Sequence, residues 1–537
     1  MSDKKKVKDV IINQLENFNI KNIYGYPGDT ILKFISELKD SPITLYTTKH
    51  EGAAGLMASA EAKLQEKLAV CIAHSGPGSA NIINGIADAS KDKAPLLLIS
   101  GQVQTYNIGT NYKQYIRQQQ LTDPLTVFSG ILTHPETVID LLYKAMVKAL
   151  TKGGVSHLII PMDMWDKNTN ARPRQYPEHL NYRNKPDTNI IEQAAEKINK
   201  AEKPVILYGR GVKNAQKELK KLGEKIQAPL INSLPAAGMI NHDYYLSLGG
   251  LGQAGSQQAS EIINQSDLII IAGSCWWPVD FTPRKPKIIQ LDLVKENIGS
   301  THPVDTGIPG DIKLTLTSLL DIISPGENTE WTDQINRSHQ DWLNNQDKEI
   351  KESEGYPLSP ARVINNISEN LERDEIITLD SGDSVIWFGK YFKNTCKDLL
   401  ISGSWRTMGF SIPAALAAKI NQPDHPVTAI TGDGGFCMVM AELLTATRYE
   451  LPVRIIVINN AALAMEKNKM KSADLKIEEV DLNNPDIVKL AEACNLKAYR
   501  VKSINNLQEI LQKTKNPDKA VVIDIPTADT MPPDTKL

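Results

Sequence analysis

Long apolar runs are absent: nowhere in the 537 residues is there the stretch of ~20 apolar residues that a membrane-spanning helix needs. Cysteine is sparse. The five thiols (Cys71, Cys275, Cys396, Cys437, Cys494) contain no CxxC pair, which speaks against a zinc or iron–sulfur site. Neither sign of charge dominates, because 60 Lys and Arg against 63 Asp and Glu leave a formal net charge of −3. Nothing in that balance draws the chain to a polyanion, and no nucleic acid partner is expected. The opening MSDKKKVKDV is charged where a secretory signal would be apolar, so a cytoplasmic protein with reduced thiols is expected. The closing MPPDTKL gives no reason to expect membrane activation.

What is present is a globular composition, 41% hydrophobic and 23% charged, on a chain too long for one ordinary core. Short aliphatic runs recur between helical patterns: LAVCIA (68–73), PLLLISG (95–101), HLIIPMD (157–163), PVILYG (204–209), LIIIAG (268–273), IIQLD (288–292), IITLD (376–380), VTAITGDGG (427–435), VRIIVINN (453–460) and VVIDIP (521–526). Fully apolar strands alternating with amphipathic helices mark parallel sheets covered on both faces. The class is α/β. Two polar, proline-bearing stretches, 166–188 and 324–360, interrupt the rhythm, and the second is expected to mix linker with an amphipathic helix. They predict three doubly wound domains, over 1–175, 186–330 and 355–537.

In the last third, one strand runs into Gly432-Asp433-Gly434-Gly435 and the next ends at Asn459-Asn460. Ligands of open parallel sheets gather at the carboxyl ends of strands, so both ends can address one ion. Magnesium takes hard oxygens and keeps phosphate among its ligands. Asp433 can supply a carboxylate, Asn460 an amide oxygen and Ala462 a backbone carbonyl, leaving other positions to a diphosphate and water. The glycines admit phosphates to a helix N-terminus. Either segment alone reads equally well as a tight turn or a strand-ending cap. Together, on successive strands, they are specific.

The stretch ITGDGGFCMVMAELLTATRYELPVRIIVINN resembles the cofactor motif of thiamine-diphosphate enzymes, and LYTTKHEGAAGLMASAEAKL resembles the segment that carries their catalytic glutamate. The resemblance implies that Glu51 shares a proton with the aminopyrimidine ring of the cofactor. A solvated first-turn glutamate that complements its helix dipole is the plainer reading. HSGPGSAN (74–81) is similar to a turn that family members place near the cofactor, with His74 more often structural than catalytic. Met408 matches the apolar wedge that holds the two cofactor rings in a V, and Gly382, Asp383 and Ser384 are implied as further cofactor contacts. The first domain would bind the pyrimidine and the last the diphosphate and Mg2+. The architecture implies a homodimer or homotetramer, with the glutamate domain of one subunit facing the diphosphate domain of another.

From YGYPGDTI to VVIDIP the order resembles the pyruvate oxidase, pyruvate:quinone oxidoreductase and acetolactate synthase group, and the middle third looks most like bacterial pyruvate oxidases. That implies decarboxylation of a 2-oxo acid, pyruvate first, with FAD in the middle domain as oxidant. Gly209, Gly211, Ser233, Gly273, Asp292 and Asp311 are the matching flavin positions. GRGVKN lacks the third glycine of a dinucleotide fingerprint, and Trp276 and Trp277 read equally as flavin-stacking or packing aromatics.

Departures fall on the substrate side. Lys113-Gln114-Tyr115 stands where family oxidases have Phe-Gln-Glu, Arg406 replaces a glycine, and the helix after the magnesium strands reads Leu463-Ala464-Met465-Glu466-Lys467-Asn468-Lys469. Lys113, Gln114, Arg406, Met465, Glu466 and Lys469 are therefore the candidate substrate-pocket residues. Glu466 and Lys469 form either an i,i+3 surface pair or, with Arg406, a site for an anionic acceptor. The second case implies a carboligase or acetyltransferase. A non-catalytic subunit would be expected to have lost Glu51, Asp433 or Asn460, and all three are present.

Overall fold

Runs such as Ile269-Ile270-Ile271, with no exposed surface at all, can satisfy their backbone only inside a sheet covered on both faces. Three six-stranded, all-parallel sheets result. The structure, a computed structural model, describes residues 5–275, 277–352 and 355–534; Trp276, a candidate flavin-stacking residue, lies outside the described residues.

The first sheet is built from Asn22–Gly25, Thr44–Thr47, Ala69–Ala73, Leu96–Gln102, Thr126–Ile131 and Val155–Pro161. In space these lie second, first, third, fourth, sixth, fifth. The last sheet, from Ile376–Leu379, Asp398–Ile401, Val427–Gly432, Arg454–Asn459, Lys497–Arg500 and Val521–Pro526, repeats that order. The middle sheet differs. Its strands Pro204–Tyr208, Leu230–Asn232, Ser247–Gly250, Leu268–Ala272, Lys287–Asp292 and Thr306–Pro309 lie third, second, first, fourth, fifth, sixth. Each sheet thus has a point where strand order reverses and a crevice opens beyond the strand ends.

One apolar cluster serves the first and last sheets together. Ala54, Met57 and Ala58 of helix Glu51–Gln65 share it with Ala414 and Ala415 of helix Ser411–Asn421. Small side chains let these helices approach closely. Within the first domain, helix Glu51–Gln65 also meets helix Ile83–Lys91 closely: at Gly55, an added Cβ would stand 2.9 Å from Gly85 Cα. The middle sheet keeps its own core, and most of the second polar stretch is a helix, Thr329–Glu352, which buries Trp331, Ile335 and Trp342.

Beneath the last sheet, Arg454 and Glu375 form an ion pair at 2.8 Å, each side chain 1% exposed. Arg454 Nε also donates to Thr428 Oγ1 (2.9 Å) and Nη1 to Leu511 O (3.2 Å). Arg454→Met strands the Glu375 carboxylate without its partner, and the expected loss is about 3–5 kcal/mol. Urea unfolding measures it, and a loss under about 1 kcal/mol, the size of an exposed pair, would refute the account.

Candidate active site

A cavity of about 320 Å³ opens at the carboxyl ends of the last sheet's first four strands, where the order reverses. Gly432 ends the strand Val427–Gly432, and Asp433 begins the helix Asp433–Val439. Of the sequence-marked residues, Gly382, Asp383, Ser384, Met408, Gly432, Asp433, Gly434, Gly435, Asn460 and Ala462 all line it, as do Arg406, Met465, Glu466 and Lys469.

Local contacts account for this placement. Gly435 has no room for a side chain, because an added Cβ would lie 2.7 Å from Asp380 Oδ2. Asp380, fully buried, accepts from Thr431 Oγ1 (3.0 Å) and the Phe410 amide (3.3 Å), and burial lifts its carboxyl to about 6. At Gly432 and Gly382, by contrast, an added Cβ would meet nothing within 4 Å, and Gly382 sits at φ +130. Those two glycines keep space open. Asp433 Oδ2 accepts from Asn484 Nδ2 at 2.6 Å, and burial raises its carboxyl against that bond. The Ala462 amide donates to Asn460 Oδ1 (3.2 Å), which turns the chain so that both residues face the cavity.

Two buried atoms in the wall lack any partner among the described residues: Asp383 Oδ1 and Ser384 Oγ. Burial raises the Asp383 carboxyl to about 6, and Trp387 Nε1 donates to its other oxygen at 2.5 Å. Buried polar atoms are seldom left unpaired, so this wall is built for a polar ligand. Glu466 and Lys469 form the i,i+3 pair at 2.9 Å, both more than half exposed at the rim. Arg406, on the same rim, holds φ +55, a left-handed conformation that explains why glycine suits the position elsewhere.

Glu51, Lys113 and Gln114 are elsewhere. Glu51 begins a helix of the first domain, Lys113 and Gln114 belong to one of its loops, and none of the three lines this cavity. Glu51 opens its helix after the cap His50 and accepts from Asn81 Nδ2 (3.0 Å), while its other oxygen would lie 3.1 Å from a Cβ on Gly78. The SGPG turn is thus shaped around the carboxylate. Gln114 packs on the same turn, and an added Cβ at Gly76 (φ +67) would stand 2.6 Å from Gln114 O. His74 is structural in its contacts, paired to Thr30 Oγ1 (2.9 Å) and Gln114 Oε1 (3.0 Å). Lys113 is exposed beside it.

Glu442 had no signature in the sequence, yet its carboxylate accepts from the Lys49 amide at 3.0 and 3.2 Å and fixes the entry to Glu51's helix. Asn484 and Asp380 are similar omissions, and no spacing rule would have found them.

In the middle sheet, Gly209, Ser233, Gly273 and Asp292 stand at strand ends around the reversal point. An added Cβ at Gly209 would be 2.4 Å from Gly273 O, and at Gly211 2.7 Å from Gly273 Cα, so these glycines let two turns touch. Their amides are already engaged, Gly209 N to Ala272 O and Gly211 N to Gly273 O, both 2.9 Å. Asp292 Oδ1 accepts from Val294 N and Asn297 Nδ2, and Asp311 caps helix Ile312–Ile322. Trp277 is 1% exposed and stacks on His302, the packing alternative.

Three family models cover the chain: the N-terminal thiamine pyrophosphate (that is, diphosphate) binding domain over residues 5–121, the central domain over 191–319, and the C-terminal thiamine pyrophosphate binding domain over 380–525. The Bacillus subtilis protein YdaP, named as thiamine pyrophosphate-containing, is 33% identical over 95% of this chain and 90% of its own. The pyruvate oxidase of Lactiplantibacillus plantarum is 28% identical (94% and 85% covered), and the acetolactate synthase large subunit of Corynebacterium glutamicum 30% (96% and 85%). With three parallel-sheet domains matched in order along its length, the chain belongs to the thiamine pyrophosphate enzyme family.

Proposed function

We propose that the protein decarboxylates a 2-oxo acid, pyruvate first, with thiamine diphosphate and Mg2+, and that FAD in the middle domain oxidises the two-carbon product. The observation that carries the first part is the convergence of the marked residues on one cavity whose wall holds unpaired Asp383 Oδ1 and Ser384 Oγ beside glycines open to a ligand. These features fit a metal diphosphate. Asp433, Asn460 and Ala462 would supply the metal's protein oxygens, and Gly382, Ser384, Gly432 and Gly434 would border the diphosphate, with Met408 packed against the rings. When bound, thiamine diphosphate supplies a carbon nucleophile for the keto group and a sink for the electrons left by carbon dioxide.

The chain's own part in that chemistry is proton traffic. Asn81 occupies one Glu51 oxygen and leaves the other facing the Gly78 turn, free to exchange a proton with the aminopyrimidine nitrogen. Because Glu51 lies off the cavity of its own chain, a complete site needs a second copy, and the active form is a homodimer or a homotetramer.

FAD is supported by the middle sheet's strand order and by the touching glycine turns at its reversal point. A second reading has its own support. Arg406 and Lys469 put two cations on the cavity rim beside one Glu466 carboxylate, an arrangement suited to an anionic acceptor and a carboligase or acetyltransferase outcome.

The visible spectrum under anaerobic conditions separates them. We expect a flavin band that bleaches when pyruvate is added to protein loaded with thiamine diphosphate and Mg2+. A colourless protein that still releases carbon dioxide would favour the carboligase or acetyltransferase reading, and one that releases none would overturn both.

A further inference from the structure

The cavity loop 402–409 contributes Ser402, Gly403, Arg406 and Met408 to the wall and is itself neither helix nor strand. Its internal bonding is local, the Thr407 amide to Ser402 Oγ at 2.9 Å and Thr407 Oγ1 to Met408 O at 2.9 Å. Four bonds tie it to the first domain of the same chain. Asp92 accepts from the Gly403 amide (2.9 Å) and the Ser404 amide (2.8 Å). Asn84 Oδ1 accepts from Trp405 Nε1 (2.8 Å), and Asn84 Nδ2 donates to Thr407 Oγ1 (2.9 Å). Gly403 itself answers to Asp92, since an added Cβ would lie 2.8 Å from Asp92 Oδ1.

Asp92 is in turn held by Lys63, whose side chain is 2% exposed and whose Nζ reaches Asp92 Oδ2 at 2.6 Å, Asp88 Oδ2 at 2.7 Å and Ile401 O at 3.1 Å. Burial would raise the Asp92 carboxyl, but the Lys63 charge and the two loop amides outweigh it and hold it low. A buried charge cluster is a poor general stabiliser, since well-packed apolar residues of the same volume serve as well. What this cluster does that apolar groups could not is aim a carboxylate at two amides of the cavity loop.

We propose that Asp92, held by Lys63, and Asn84 are positioning residues that fix loop 402–408, and with it Met408, in the arrangement the bound cofactor requires. The role rests on the thiamine diphosphate reading of the cavity. A loop displaced by about 1 Å can cost roughly 10²-fold in rate without any change in the reacting groups.

Asp92→Asn keeps the side-chain shape and removes the charge; Asn84→Ala alters an exposed side chain and leaves the buried cluster intact, so it should fold if the first variant does not. Three readouts apply to each: amide hydrogen exchange over 403–407, kcat against KM for pyruvate, and the thermal shift produced by thiamine diphosphate with Mg2+. The expected result is faster exchange confined to the loop and a kcat lowered by roughly 10- to 100-fold, with KM and the cofactor-induced shift near wild type. A loop that stays protected, or a kcat loss matched by loss of the cofactor-induced shift, overturns the positioning role. Wild-type protein without thiamine-dependent turnover overturns the cavity assignment and the role with it, and the exchange data then report separately whether Asp92 and Asn84 hold the loop.

Discussion

Glu51→Gln is expected to lower turnover by roughly 10²–10⁴-fold, the range a positioned proton-transfer group contributes, while leaving magnesium and diphosphate binding near wild type. The substitution keeps the shape of the side chain. A glutamine carbonyl can still accept from Asn81 Nδ2, so the contact that orients the group survives. The helix start is set by His50, whose side chain accepts from Gly52, and by Glu442 on the Lys49 amide, and neither depends on the Glu51 charge. What is lost is the ability to give and take a proton. Single-turnover carbon dioxide release separates chemistry from binding, and a variant that keeps near-normal turnover would sink the assignment. A variant that loses turnover because diphosphate no longer binds would also count against it, since the proposed role of Glu51 is at the aminopyrimidine ring and not at the diphosphate.

The central strands of each sheet were legible because they are long and apolar on both faces: Leu96–Gln102, Val155–Pro161 and Val521–Pro526 all follow runs that stand out in the sequence. The strands that did not stand out are mostly at edges. Thr126–Ile131, Ser247–Gly250, Thr306–Pro309, Asp398–Ile401 and Lys497–Arg500 each border their sheet on one side only. An edge strand is short and partly polar, so its pattern merges with the loops around it. Leu230–Asn232 is internal but only three residues long. The same logic applies to the site. Residues in contiguous motifs, from Gly432 to Gly435 and Asn460 to Ala462, were readable in order. Glu442 meets Lys49 across 393 positions of sequence, Asp92 meets Gly403 across 311, and Asn484 meets Asp433 across 51. Nothing local marks such partners, because their function exists only once distant parts of the chain have packed.

Asp433→Ala should weaken magnesium and diphosphate binding by at least about 100-fold, more than the 10- to 100-fold typical of removing a supporting partner of a ligand. Under the proposed assignment Asp433 is the single anionic protein ligand, and Asn460 and Ala462 offer neutral oxygens. A hard divalent ion facing a diphosphate therefore loses its one protein charge. The fold should tolerate the change, because Asp433 sits at the first position of its helix and its side-chain bond is to Asn484, not to the sheet. Ligand linkage turns the affinity into an observable. At cofactor concentrations about 100 times the wild-type Kd, binding stabilises the protein by about 2.7 kcal/mol, and a 100-fold weaker variant would retain about 0.4 kcal/mol. The cofactor-induced rise in Tm should almost vanish while the Tm of cofactor-free protein stays close to wild type. Asn484→Ala, which only frees the carboxylate to turn, should give the smaller loss of a supporting residue. An Asp433→Ala protein whose Tm still rises fully with thiamine diphosphate and Mg2+ would remove Asp433 from the metal site, and the cavity's polar wall would then need a different ligand to explain it.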